Sequence, residues 1–337
     1  MNVVAVTTIA DQYSSGVLKL LDFAEKNSAE LVIIGDKKTP HWNTSSIPSF
    51  VHYFSIDDQI KKWPKLASLL PFNHYARKNL AYLWAIENQA SLLLDTDDDN
   101  YSTMNVFKSD RGQFRSIAGN SEWINIYGYF GKAEIWPRGV PLDEARKSLP
   151  SVSEANVHSD WHCFQAIVDG DPDLDAIGRM LYPEAHYFED YEPVLLPNSS
   201  FCPTNSQATI WKRQVLPFLY LPVTSTFRMT DIWRGILVSG YFRRENLSIA
   251  FGKLGFLQER NEHNLVNDFL DEVSGHQYSR KVKSISDNIW LGGDLEFESN
   301  SERYISIYSV LVEQGLLTQL DMECVQEFTK IASAHAN

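Results

Sequence analysis

Three cysteines in 337 residues, Cys163, Cys202 and Cys324, are too few and too scattered for a disulfide framework or a zinc site. Their number is odd and none forms a C-x-x-C pair, so reduced thiols in a cytoplasmic protein are expected. Long apolar runs are missing too: no stretch approaches the ~20 residues of a membrane span. The strand-like run from Met1 to Ala10 has neither the basic preface nor the small-residue cleavage pattern of a signal peptide. Basic charge is in short supply, with 30 Lys and Arg against 43 Asp and Glu and a net charge of −13. No Lys/Arg-rich stretch interrupts that balance, which argues against a nucleic-acid backbone as partner. The chain also has no internal repeat and no low-complexity tract.

What it does have is 44% hydrophobic residues, enough for one large or two modest domains with a sizeable core. The most informative segment is Leu92-Leu93-Leu94-Asp95 running into Thr96-Asp97-Asp98-Asp99-Asn100. A buried apolar strand there delivers carboxylates to its carboxyl end, where open α/β sheets bind ligands. Two unit charges about 5 Å apart repel by roughly 3 kcal/mol at an effective dielectric near 20. Something cationic is therefore expected beside Asp97, Asp98 and Asp99. Hard oxygen ligands favour Mg²⁺ or Mn²⁺ carried with a diphosphate. A solvated turn is the commoner reading of an acidic triplet, but its position directly after a buried strand favours a metal-diphosphate site.

Around this segment the pattern is β-α-β. Val3 to Ile9 reads as a strand, about Ser14 to Asn27 as a helix with Val17, Leu20, Leu21 and Ala24 on one face, and Leu31 to Ile34 as a second buried strand closed by Gly35-Asp36. Such an opening implies parallel strands and a right-handed crossover. A helix after Pro71, with Ala76, Leu80, Leu83 and Ala90 at helical spacing, feeds the strand Ser91 to Leu94. Residues 101 to 245 are less regular, as expected of insertions that build a substrate site over a sheet. From about Glu245 the pattern is helical, so a boundary is expected between residues 1–245 and a helical C-terminal segment, 246–337, packed on the first domain.

Several polar elements admit two readings. Asp36 and Lys37 follow a strand, where they would meet a base, ribose or phosphate, or simply form a surface turn. Arg77 and Lys78 open a helix that adds partial positive charge to their own; the alternative is a solvated basic pair. Arg138 lies between Pro137 and Gly139, and is either a structural arginine paired with a carboxylate or a bidentate diphosphate ligand. Asp169, Asp171, Asp173 and Asp175 alternate, but the segment lacks the Gly and terminal Glu of a calcium loop, leaving capping and loop-ordering roles. Asp231 lies where a loop enters a helix, a common place for an N-cap, with Arg228, Trp233 and Arg234 beside it. His158, His162 and His186 are candidate third metal ligands.

Taken in order, GDKKTP (35 to 40), FNHYARKNLAYLWAI (72 to 86), DTDDDN (95 to 100), WPRGVP (136 to 141), DGDPDLDAI (169 to 177), PTNSQATIW (203 to 211) and LPVTSTFRMTDIWRG (221 to 235) resemble the STELLO-type glycosyltransferases. That family is related to the reversibly glycosylated polypeptides, the plant UDP-arabinopyranose mutases. The resemblance covers residues 1 to about 245. It implies an α/β glycosyltransferase A-type, Rossmann-like sheet and a metal-dependent transfer of sugar from a UDP- or GDP-linked donor to a glycan or other small acceptor, in glycan or polysaccharide biosynthesis. It also implies Asp97 and Asp99 as ligands of Mn²⁺ or Mg²⁺. Donor contacts would come from Thr8, Asp36, Lys37, Arg77, Lys78, Asp95, Asp98, Asp173, Arg228, Trp233 and Arg234. Asp231 would activate the acceptor and Arg138 would hold the diphosphate or sugar. Arg138-Gly139-Val140-Pro141 is similar to the mutases' sugar-accepting Arg-Gly-x-Pro element, so a mutase working through Arg138 is the nearest alternative. A sugar-nucleotide-binding assembly partner without turnover is another.

Overall fold

The computed structural model describes residues 1–107, 113–119, 121–259, 264–293 and 296–335, the side chains of 154–158 excepted. Its strands are β1 (Asn2–Thr8), β2 (Ala29–Gly35), β3 (Val51–Phe54), β4 (Leu92–Thr96), β5 (Asn100–Ser102), β6 (Gln113–Ile117), β7 (Val152–His158), β8 (Cys163–Gly170), β9 (Val194–Leu196), β10 (Ala208–Lys212) and β11 (Ile249–Gln258). The α-helices are α1 (Ser15–Lys26), α2 (Ile56–Lys62), α3 (Pro64–Leu69), α4 (Asn79–Glu87), α5 (Ala176–Leu181), α6 (Thr230–Arg244), α7 (Leu265–Leu291), α8 (Asn300–Glu313) and α9 (Gln319–Ala334). Among the described residues, no helix is long and apolar enough to cross a membrane. The chain divides into two compact units: Met1–Lys108 with Ile210–Ser225 and Phe297–Asn337, and Ser109–Thr209 with Thr226–Glu296.

The first unit has a parallel core in the order β3-β2-β1-β4. Val3 to Val6 and Leu31 to Ile34 are fully buried, as expected of strands covered on both faces. Each such Val, Leu or Ile contributes about 1.5–3 kcal/mol by leaving water. The register pairs Thr8 with Gly35 and Ala5 with Asp95, so the carboxyl ends of β1, β2 and β4 lie along one edge. Helix α1 starts where Ser14 accepts from the Val17 amide, a side-chain cap. Helix α4 is buried from Asn79 to Ile86, which is why its spacing shows little polar face. Between β2 and α4 the chain forms β3, α2 and α3, which the sequence pattern does not announce. Helices α8 and α9 also belong here: Asp321 of α9 accepts from the Tyr220 hydroxyl and from the Val223 and Thr224 amides.

The second unit holds a mixed sheet in the order β8-β11-β9-β6-β7. Strands β8 and β11 run parallel, whereas β11 and β9, and β6 and β7, are antiparallel. Helices α5, α6 and α7 complete it. The segment 246–337 is therefore not one helical extension. Residues 249–258 form a strand registered along β8 from Cys163 to Gly170; α7 remains in this unit and α8 and α9 join the first.

Candidate active site

At the carboxyl edge of the first unit's sheet, Lys78 organises the acidic loop. Its side chain is 0% exposed, and its Nζ lies 3.1 Å from Asp95 Oδ1 and 2.8 Å from Asp97 Oδ1, while donating to the Thr96 carbonyl at 2.8 Å. Burial alone would lower its pKa; Asp95 and Asp97 more than reverse this and raise it. The Thr8 hydroxyl donates to Asp98 Oδ2 and accepts from the Ala10 amide at 2.9 Å. A Cβ on Gly16 would stand 2.1 Å from the Asp98 carbonyl oxygen, so only glycine lets the first turn of α1 lie this close to the acidic loop. Asp99 Oδ1 accepts from Asn100 Nδ2 at 3.3 Å. Asp97 remains 43% exposed. Its carboxyl is pushed up to about 7, by burial first and then by Asp99 and Asp95, against the pull of Lys78. Burial likewise raises Asp98, the Thr8 hydroxyl opposing it.

The strand ends β1 and β2 are tied together by Thr39, whose hydroxyl donates to the Thr8 carbonyl and accepts from the Asp36 amide, each at 2.7 Å. Asp36 accepts from the Lys37 amide at 2.7 Å and the His74 amide at 3.1 Å, so its carboxylate shapes the turn. Lys37 is exposed and stands 3.7 Å above the Phe72 ring, a cation-π contact. Burial lowers the His74 pKa, with Asp36 opposing. Arg77 departs from its expected place. It is 0% exposed, with Nε and Nη2 donating to Gln59 Oε1 and Nη1 to the Leu70 carbonyl at 3.0 Å. Those partners hold the 67–70 turn, and the guanidinium is turned inward rather than toward a base or diphosphate. Asp95 and Lys78, both fully buried, are likewise the inner support of the loop, not its outer face.

The second unit gathers a different cluster. Arg138 donates from Nε to Asp173 Oδ1 at 2.8 Å and from Nη2 to Asp173 Oδ2 at 2.9 Å, and its Nη1 and Nη2 reach Asp231 at 3.3 and 3.2 Å. Gly139 makes this possible: its φ is +91°, and a Cβ there would meet Ile232 Cγ2 at 2.5 Å. Asp173 also accepts from Asn205 Nδ2 at 2.8 Å, and Asp231 from the Ser206 amide at 3.0 Å. Burial favours the neutral form of Asp231, but Arg138 and the Ser206 amide outweigh it and hold its carboxyl below the usual range. Arg138 is raised well above its ordinary value, Asp173 and Asp231 prevailing over burial.

The four alternating aspartates each have a structural partner. Asp169 accepts from the Phe188 amide at 2.9 Å and pairs with Lys253 at 2.8 Å; Asp171 pairs with Arg179 at 2.5 Å. Asp175 caps α5 through the Gly178 amide and accepts from Trp136 Nε1 at 2.8 Å. Arg228 is engaged by Glu272 at 2.7 Å, and Glu272 also accepts from the Ala176 amide at 2.7 Å. Trp233 is 2% exposed, so it does not present the ring face expected for a sugar, and Arg234, fully buried, donates to the Asn205 carbonyl at 2.9 Å. Sequence reasoning missed Asn205, Ser206, Glu272 and Gln59 as organising residues. The first two lie in the PTNSQ segment, where an Asn-Ser pair between apolar stretches was the available signal.

His162 Nδ1 accepts from the Ser248 amide at 3.2 Å and His186 lies 3.2 Å from the Tyr182 carbonyl. The side chain of His158 lies outside the described residues. Among the described residues, no three His, Cys, Asp or Glu side chains are grouped to hold a metal ion. Asp97 and Asp99 are the two partly exposed carboxylates of this loop that flank Asp98, while the Lys78 ammonium is buried beneath them.

Fold and loop define a class, an α/β protein with an acidic loop at the carboxyl edge of a parallel sheet, where such sheets bind ligands. No family profile matches the chain. It is similar to Probable glycosyltransferase STELLO2 of Arabidopsis thaliana, 25% identical over 363 residues covering 95% of this chain and 43% of that one. Probable glycosyltransferase STELLO1 of the same plant is 27% identical over 240 residues, 61% of this chain and 29% of that one. The chain thus spans less than half the length of these curated relatives. Among solved structures, glucosyl-3-phosphoglycerate synthase from Mycobacterium tuberculosis with uridine-diphosphate superposes with a TM-score of 0.41 at 12% identity, covering 87% of this chain and 80% of that one. The same enzyme with Mn²⁺, UDP-glucose and phosphoglyceric acid gives 0.40 at 11%, with the same coverage.

Proposed function

We propose that this chain is a nucleotide-sugar glycosyltransferase of the GT-A type, taking a UDP- or GDP-linked donor and a glycan or other small acceptor in glycan or polysaccharide biosynthesis. The observation that carries it is the acidic loop: Asp97, Asp98 and Asp99 partly exposed at the end of β4, braced from within by Lys78 and from β1 by Thr8. Similarity along 95% of the chain to a relative named as a glycosyltransferase supports it.

In this reading Asp97 and Asp99 would hold Mn²⁺ or Mg²⁺, which when bound would supply charge neutralisation for a departing diphosphate. The rest is done by the chain. Lys78 anchors one oxygen of Asp97 and compensates Asp95 beneath it; Thr8 fixes Asp98. Thr39 and Asp36 set the adjoining turn, whose Lys37, with the Phe72 ring packed under it, offers a cation and a ring to the nucleoside.

Arg138 and Asp231 enter as a positioning pair. A carboxylate held low by a guanidinium is a weak general base, so Asp231 orders the WPRGVP segment against α6 rather than taking the acceptor's proton. The same observation disfavours the mutase: a guanidinium bonded to two carboxylates is fully protonated and has no nucleophilic nitrogen to accept sugar. Intact-protein mass spectrometry after incubation with a panel of nucleotide-sugars is expected to show no pentose or hexose adduct on Arg138; such an adduct would establish the mutase instead.

Calorimetry of UDP and GDP with and without Mn²⁺ tests the donor site. Binding is expected to require the metal and to weaken at least about tenfold, roughly 1.4 kcal/mol, in Asp97→Asn or Asp99→Asn. Metal-independent affinity that neither variant changes would overturn the assignment.

A further inference from the structure

Away from the acidic loop, the first unit contains a second cleft. It has a volume of about 400 Å³ and lies between α4, the 213–218 turn and the facing ends of α8 and α9. This is within the ~300–1,000 Å³ range of small-molecule sites. Ile86 and Phe218, both buried, form an apolar floor, and the rim carries Arg213, Ser301, Ser333 and His335. The hydroxyls of Ser301 and Ser333 are 3.1 Å apart, bringing α8 and α9 together at the mouth.

Charge makes the cleft unusual for this chain. Acidic residues outnumber basic ones 43 to 30, yet among the described residues no Asp or Glu lines it, and its one permanently charged side chain is the Arg213 guanidinium. A planar fork of donors suits a phosphate or carboxylate, two adjacent hydroxyls suit the oxygens of a sugar or polyol, and the floor suits its carbon face. We infer that this cleft binds a small polyol bearing one phosphate or carboxylate group, separately from the donor site.

Glucose 6-phosphate and gluconate are probes of the two anion sources, with glucose as the neutral control and inorganic phosphate as the bare anion. Amide chemical-shift titration of the full chain is expected to move the signals of residues 213–218, 301 and 333–335 with one of the charged sugars and not with glucose. Arg213→Gln is expected to weaken that binding about tenfold or more, and Ser333→Ala by a few-fold, each with only the small change in stability usual for an exposed side chain. Asp97→Asn is expected to leave it unaltered, which separates it from the donor reading. Binding of glucose as tight as that of the charged sugars, binding of inorganic phosphate alone, affinity insensitive to Arg213→Gln, or no shifts at these residues at 10 mM probe, about the weakest affinity worth calling a site, would each overturn the inference.

Discussion

The two units use the same residue types, carboxylates gathered around one cation, to opposite ends. In the second, Arg138 is 7% exposed and both of its carboxylates are buried and saturated by Asn205, the Ser206 amide and the guanidinium itself. In the first, Lys78 is sealed inside while Asp97 stays 43% exposed and is joined by Asp98 and Asp99. A closed cluster locks chain segments together. One left open on its solvent side keeps carboxylate oxygens within reach of a ligand, which is why the first carries the donor proposal and the second does not.

Breaking the closed cluster is expected to cost most. Arg138→Met leaves two buried carboxylates without their partner, and the loss of one member of such an ensemble costs about 3–5 kcal/mol; urea unfolding followed by near-ultraviolet circular dichroism measures it. Lys78→Met comes next, at about 3 kcal/mol, because Asp95 is stranded in the interior whereas Asp97 turns to water. Asp231→Asn should cost about 2 kcal/mol at neutral pH, and its pH dependence sharpens the contrast. The folded-state pKa of Asp231 is lowered, so its ionised form contributes fully above the unfolded value of about 3.9. That contribution is lost as pH falls through the folded value. The gap between wild type and Asp231→Asn is thus expected to be flat from pH 8 to about 5 and to close below about 4; a gap that widens in acid would refute the ion-pair account. Smallest of all is Asp97→Asn, under about 1 kcal/mol in stability because the group is exposed. Its effect belongs to metal-nucleotide binding, and a large loss of stability instead would make Asp97 a structural residue.

The amino-terminal β-α-β and the strand into the acidic loop were legible because periodicity is local. So were the capping and loop-ordering roles of the alternating aspartates. Helix α6 was legible as a helix, but Asp231 is not its N-cap, since the cap position is Met229 and Asp231 lies inside the first turn, turned to Arg138. The inward turn of Arg77 was not legible, because it depends on Gln59 and the Leu70 carbonyl, separated from it by loop and helix. Nor was the burial of Lys78, since a lysine reads as solvated until a partner such as Asp95 is known to face it. The short strand Val51–Phe54 offers too few residues for alternation to show. Ile249–Gln258 is hidden by the helical periodicity that dominates the chain beyond Glu245, and its partner β8 lies nearly ninety residues earlier.

Helices α8 and α9 return to a unit begun at Met1, and Asp321 closes it by gripping the 220–224 loop. On a ribosome adding roughly 5–20 residues per second, the leading portion waits on the order of ten to forty seconds, after residue 108 has been made, for the segment that completes it. During that interval the second unit, contained between residues 109 and 296, can assemble first. The order of emergence and the order of maturation therefore diverge, and the nascent sheet is the part that most needs shelter from its neighbours.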